Sequence, residues 1–170
     1  MSLDNTKLLD FLGEVDKELS RKIVVVAVGG TAMTLVKAKP STIDVDFTIP
    51  VEFYDEFERA KKMVDPGFRV DLFHGGMVFI TALPDDYLKK SRPIRTRLKN
   101  IQLRALDPVD IIITKIARLD ERDEQDIESC IEKFKIKKSQ IVKRAKDIGY
   151  SGNDEVFKGN LQIMLTKFFR

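Results

Sequence analysis

The residues best suited to do chemistry are two aspartates, Asp44 and Asp46, separated by Val45 and followed by Phe47. Side chains of an extended segment alternate between its faces, so both carboxylates project to one side while Ile43, Val45 and Phe47 are expected to face the core. Like charges held this close repel, and a bound cation explains the arrangement better than stability does. Mg2+ is the natural ion, because it prefers hard oxygen ligands and bridges carboxylates to phosphates while keeping several waters. Thirteen residues separate Asp44 from Gly30, the second of the pair Gly29-Gly30. That pair ends the unbroken β-branched run Ile23 to Val28 and opens a helix-like stretch from Thr31 to Lys37. A strand, two glycines and a helix start offer free backbone N–H groups and a positive dipole end, with no side chain blocking a phosphate. Taken singly, the glycines would serve a tight turn and the acids a solvated edge strand. Together they predict metal-assisted chemistry on a phosphate ester.

Asp71, in Phe68-Arg69-Val70-Asp71-Leu72-Phe73, has apolar neighbours on both sides and needs a charge partner if buried. It is the expected third carboxylate; the competing reading is a solvated acid near the Gly75-Gly76 turn. His74, the only histidine, is expected at the surface and outside the chemistry. Lys115, Arg118 and Arg122 recur at helical spacing beside the stripe of Ile111, Ile112, Ile116 and Leu119, a basic ridge suited to phosphate, although a snorkelling lysine competes for Lys115. Ser41 and Thr42, just before the acids, either assist phosphate binding or form the turn after Pro40. Cys130 has no partner for a disulfide and falls on the buried face of a helix, as a small core residue does.

These groups need a scaffold, and the apolar spacing supplies one. Leu8, Phe11, Leu12, Val15 and Leu19 mark an amphipathic helix, and Phe53, Phe57, Ala60 and Met63 mark another, closed by Pro66-Gly67. Phe68 to Phe73 and Met77 to Ala82, joined at Gly75-Gly76, read as a hairpin, and Ile101 to Leu106 as a last strand. From Asp107 onward the pattern is helical, with Asp107 as N-cap and Pro108 at the first helical position. The expectation is an α+β chain with a mixed sheet flanked by helices over residues 1–106, followed by a C-terminal helical region, 107–170, packed on that core.

With Val28-Gly29-Gly30, then the gap, then Asp44-Val45-Asp46-Phe47, the chain resembles the nucleotidyltransferase superfamily, whose fold is shared with DNA polymerase beta. The resemblance implies that Gly29 and Gly30, with Thr31, cradle nucleotide phosphates and that Asp44 and Asp46 bind Mg2+. It also implies a third acid on a neighbouring strand, here Asp71, acting as ligand or base. Lys115, Arg122, Asp123, Asp126 and Ile127, at their relative positions, look like the C-terminal motif of AbiEii-type toxins and related small nucleotidyltransferases. There the lysine and the acids after it lie by the nucleotide; a capping box at the start of the Ile127 helix accounts for Asp123 and Asp126 equally well. The implied reaction moves a nucleoside monophosphate from a nucleoside triphosphate to an acceptor hydroxyl. Likeness to the toxins implies an acceptor such as a tRNA end, another RNA or a protein, and a partner antitoxin. A small-molecule acceptor competes, as does a non-catalytic nucleotide- or RNA-binding module with the same fold, or a structural interaction protein with an incidental acidic strand.

Composition agrees with a folded chain: 43% of residues are hydrophobic and 34% charged, with no tract biased toward disorder. No apolar run approaches the roughly 20 residues that span a bilayer, so a cytoplasmic protein without membrane partners is expected. The net charge of +3 conceals two basic clusters, one from Lys89 to Arg104 and one from Lys133 to Lys146. Such clusters suit a polyphosphate or nucleic acid, or simply a solvated surface.

Overall fold

An unbroken apolar run, β-branched but for Ala27, has no polar face to offer water, and in the computed structural model, which describes residues 1–170, it occupies the middle of the sheet. After helix α1 (Asn5–Lys17) the run forms β1 (Ile23–Ala27), followed by α2 (Gly29–Leu35), β2 (Val45–Ile49), α3 (Val51–Lys62) and β3 (Val70–His74). Two short strands, β4 (Met77–Val78) and β5 (Thr81–Ala82), precede α4 (Tyr87–Lys90), β6 (Arg92–Pro93) and β7 (Ile101–Ala105). Four helices close the chain: α5 (Pro108–Arg118), α6 (Glu121–Phe134), α7 (Lys138–Lys146) and α8 (Asp154–Phe168).

The main sheet has the order β3-β2-β1-β7-β6. It is mixed: β1 runs antiparallel to β2 and parallel to β7, while β2 and β3 are parallel. The architecture is thus α+β, a mixed sheet flanked by helices with a helical C-terminal region. One apolar core runs through both parts, from Val26 and Phe47 of the sheet to Ile112, Ile127 and Phe157 of the helices. Asp16 ties α1 to the start of β7, accepting the backbone N–H groups of Lys99, Asn100 and Ile101 at 3.1, 2.8 and 2.7 Å.

Three expectations need correction. Phe68 to Phe73 does not pair with Met77 to Ala82; β3 lies parallel to β2, reached through the crossover helix α3, and the only hairpin there is β4 with β5. Alternation identifies a strand but not its partner. Ile43, expected in the core, is 54% exposed because the strand begins at Val45. Arg144, counted in the second basic cluster, is buried and bonds Asp110 at 2.6 and 3.0 Å and Asp86 at 2.8 Å, so it adds no charge to the surface. Burial raises the carboxyl pKa of Asp110, and the Arg144 guanidinium opposes that rise. Asp107 does cap α5, accepting from Val109 N at 2.9 Å, with Pro108 behind it.

Candidate active site

The chain turns from β1 into α2 at Gly29, whose φ of +54° lies where glycine is favoured. A Cβ on Gly29 would stand 3.6 Å from Asp46 Oδ2 and from the Phe79 ring, so the diglycine corner and the acids share one space. A side chain on Gly30 would force Thr42 to shift, because a Cβ there would fall 2.6 Å from Thr42 Oγ1. No side chain caps the first turn of α2, and the first N–H groups of a helix have no acceptor within it.

Local hydrogen bonds explain how Asp44 and Asp46 are held. Asp46 N donates to Thr31 Oγ1 at 2.9 Å, and the hydroxyls of Thr42 and Thr31 donate to the Asp44 carbonyl at 2.8 and 3.3 Å. Val28 N donates to the Asp46 carbonyl at 3.1 Å, locking the acids to the end of β1. Thr31 is fully buried and off the cleft wall, and its hydroxyl fixes the acids' backbone. Thr42, also buried, does the same.

Asp71 is the register partner of Asp46 on the neighbouring parallel strand, so the two project from the same face. It is half-buried and pairs with Arg69 at 3.0 Å. Asp44 is exposed at the cleft edge, whereas Asp46 is 5% exposed. Burial, then the charges of Asp71 and Asp44, push the Asp46 carboxyl up to about 7, with Arg118 and Arg69 offsetting part of the rise. Asp46 Oδ1 is buried without a hydrogen-bond partner. Buried polar atoms are almost always satisfied, and a carboxylate oxygen left bare among other carboxylates fits a cation. The acids do not close a three-ligand cage by themselves. That suits an ion whose remaining ligands are water and phosphate oxygens.

The opposite wall comes from the helices. Lys115, 5% exposed at its side chain, places Nζ 3.1 Å from Asp123 and 2.7 Å from Asp126. Arg118 grips Asp123 with Nε and Nη2 at 2.9 and 2.7 Å, and Lys39 reaches Asp126 at 3.2 Å. Charges therefore alternate along Lys39, Asp126, Lys115, Asp123 and Arg118. Burial works against ionisation of Asp123, but the Arg118 hydrogen bonds and the Lys115 charge outweigh it and hold the carboxyl at about 2. Asp123 also closes a capping box with Asp120, whereas Asp126 takes no part in that box. Lys115 is thus a buried ion-paired residue, not a snorkelling one, and Arg122 stands exposed at the rim.

A cleft of about 630 Å³ joins the two walls. Gly29, Gly30, Ser41, Asp44, Asp46 and Asp71 line one side; Lys115, Arg118, Arg122, Asp123 and Asp126 line the other. Five residues there escaped sequence reasoning: Ser2, Lys39, Arg69, Phe79 and Asp120. Arg69 was legible as a same-face neighbour of Asp71 two positions away, while Lys39 and Phe79 carry no local signal. His74 is exposed, its ring 3.8 Å from that of Tyr54, and it does not line the cleft. Cys130 is buried, which raises its thiol to about 12.

A glycine corner facing carboxylates on two adjacent strands, with basic residues opposite, carries the features of the nucleotidyltransferase superfamily. Residues 6–158 match the model of a family described as nucleotidyltransferases of unknown function (DUF6036), and the chain belongs to that family. No curated protein and no solved structure gives a significant match. No helix is long and apolar enough to cross a membrane.

Proposed function

We propose that the chain is a Mg2+-dependent nucleotidyltransferase that transfers a nucleoside monophosphate from a nucleoside triphosphate to an acceptor hydroxyl. The observation that carries the reading is the bare, buried Oδ1 of Asp46 beside the diglycine corner. Asp46 and Asp44, with Asp71 alongside, are the residues that would hold the ion. Bound there, Mg2+ would neutralise the triphosphate and stabilise charge developing at the transferred phosphoryl group.

The protein's own part is to position and to move one proton. Gly29 and Gly30 present backbone N–H groups to the β- and γ-phosphates, and Ser41 stands at the same edge. Lys115 and Arg118 lend positive charge from α5, held in place by Asp123 and Asp126, while Arg122 serves the rim. The acceptor oxygen bonds to the α-phosphorus, the bond to pyrophosphate breaks, and the acceptor proton passes to the Asp71 carboxylate, which Arg69 holds in place at 3.0 Å.

Among acceptors, RNA suits the surface best. Lys89, Arg92, Arg95, Arg97 and Lys99 are exposed and make no ion pair, and Arg92 lies 4.7 Å from the centroid of the Phe134 ring. Unpaired cations beside an aromatic ring suit a polynucleotide backbone. A toxin role with a partner antitoxin is carried by the likeness of Lys115 to Ile127 alone.

One observation favours a second reading, a non-catalytic nucleotide- or RNA-binding module: the acids close no cage, and Lys115 and Arg118 already have acidic partners. Incubation with each α-labelled nucleoside triphosphate, Mg2+ and total cellular RNA separates the two. Transfer is expected to label RNA and to stop in Asp44→Ala and Asp46→Ala, with the fold retained by circular dichroism. Transfer retained by the double variant refutes the assignment; nucleotide binding without any transfer supports the module.

A further inference from the structure

Phe79 occupies a position where its residue type does not belong. It opens the two-residue turn between β4 and β5 with φ +53°. Hairpin turns that need a positive φ at this place normally use glycine, and a bulky residue there is strained. Such strain persists only where surrounding contacts over-determine it, and it gathers at functional sites.

The contacts that hold Phe79 lead from the C-terminal helices to the cleft. Ala82 N donates to the Tyr150 carbonyl at 2.9 Å, and Ile80 fills the space over Gly152, where a Cβ would lie 2.8 Å from Ile80 Cδ1. The α7–α8 loop thus braces the hairpin from behind. In front, the Phe79 ring packs edge-on against Phe73 at 5.1 Å and stands over Gly29. The Arg118 guanidinium lies over the ring, with Cζ 4.5 Å from the centroid. Asp123 occupies Nε and Nη2 of Arg118, which leaves Nη1 without a protein partner inside the cleft that holds Asp46. Guanidinium groups favour aromatic faces, and one clamped by both a ring and a carboxylate is pre-oriented for a further anion.

We infer that Phe79 is a positioning residue: its strained turn sets the ring under Arg118, so that the free Nη1 is aimed at the triphosphate beside Gly29. The inference rests on the nucleotide reading above and assigns the α7–α8 loop a part in the site.

Its test uses the full chain, with Mg2+ and inorganic tripolyphosphate as the probe in titration calorimetry, and the KM for nucleoside triphosphate in the transfer assay. Phe79→Ala and Phe79→Gly both lose the ring, but only glycine relieves the backbone, so the glycine variant melts above the alanine variant. Both nevertheless bind tripolyphosphate about tenfold more weakly and show a similar rise in KM at unchanged kcat. Phe79→Trp, which introduces the only tryptophan in the chain, keeps affinity within about threefold, because indole is the better cation platform. The inference is overturned if the alanine and glycine variants bind within about twofold of wild type, or if tryptophan fails to rescue. Wild type that binds tripolyphosphate with this pattern of loss but transfers no nucleotide sinks the transfer reading and leaves Phe79 in its role. Transfer with an unchanged KM in both variants does the reverse.

Discussion

Replacing Asp46 with asparagine should make the metal-free protein more stable, although it removes the residue on which activity is proposed to depend. Folding lifts this carboxyl from 3.8 to about 7 by burial and by the charges of Asp71 and Asp44. At roughly 1.4 kcal/mol per pH unit, the ionised form costs the folded state up to about 4 kcal/mol. The sign follows from proton binding: the folded state holds this proton more tightly than the unfolded chain, so stability is highest in acid. It falls as pH rises from about 4 through about 7, and above that the whole penalty applies. The asparagine side chain carries no charge and escapes the loss. In EDTA at pH 8, Asp46→Asn should therefore melt above wild type, with roughly 8–16 °C as the ceiling for a chain of this size. The gap should close near pH 4, and Mg2+ should raise the melting temperature of wild type alone. Calorimetric scans at both pH values, with and without Mg2+, test this directly. A variant that melts at or below wild type at pH 8 would refute the electrostatic argument, as would a gap that persists in acid.

Other positions make sharp predictions. Gly30→Ala places a methyl 2.6 Å from Thr42 Oγ1 and should cost about 1–3 kcal/mol in urea unfolding. In a Thr42→Ala background the same change should cost almost nothing; an undiminished cost would show that the clash lies elsewhere. Arg144→Leu strands Asp110, whose side chain is 1% exposed, and should cost about 3–5 kcal/mol, part of it recovered by Asp110→Leu in the same chain. Equal losses in the single and double variants would deny that the pair is coupled. Cys130, with its thiol raised to about 12, should resist a disulfide reagent at pH 8 until the chain unfolds; prompt reaction would place it outside the core.

What the sequence made legible was local. The β-branched run, the glycines and the acid-apolar-acid alternation each encode their own geometry within a few residues, and Asp107-Pro108 announced its helix in the same way. The bonds of the Thr31 hydroxyl were not legible, because only the return of β2 alongside β1 brings the Asp44 carbonyl and the Asp46 N–H onto it. The Phe68 to Ala82 segment misled because a strand's period says nothing of whether its neighbour follows directly or through a helix. Lys39 and Asp126 are 87 residues apart, and Arg144 and Asp110 are 34 apart. Such pairs arise from tertiary packing of elements whose relative placement no spacing rule records. Phe79 was invisible for a different reason: its backbone contradicts its own preference, and only tertiary contacts enforce the exception.

The antiparallel pairing of β1 with β2 carries a consequence for change over time. Because β1 ends at the cleft and β2 starts there, the stretch from Val36 to Ile43 that follows α2 brings the chain back to the same rim. Its length is free of the sheet, and doubling such a loop costs only about 0.6 kcal/mol. Insertions near Lys37, ahead of Lys39 and Thr42, can lengthen the loop while those two residues keep their bonds to Asp126 and Asp44. A grafted segment would overhang the cleft, which makes this stretch the place where one unaltered frame of glycines and acids could be refitted for different ligands.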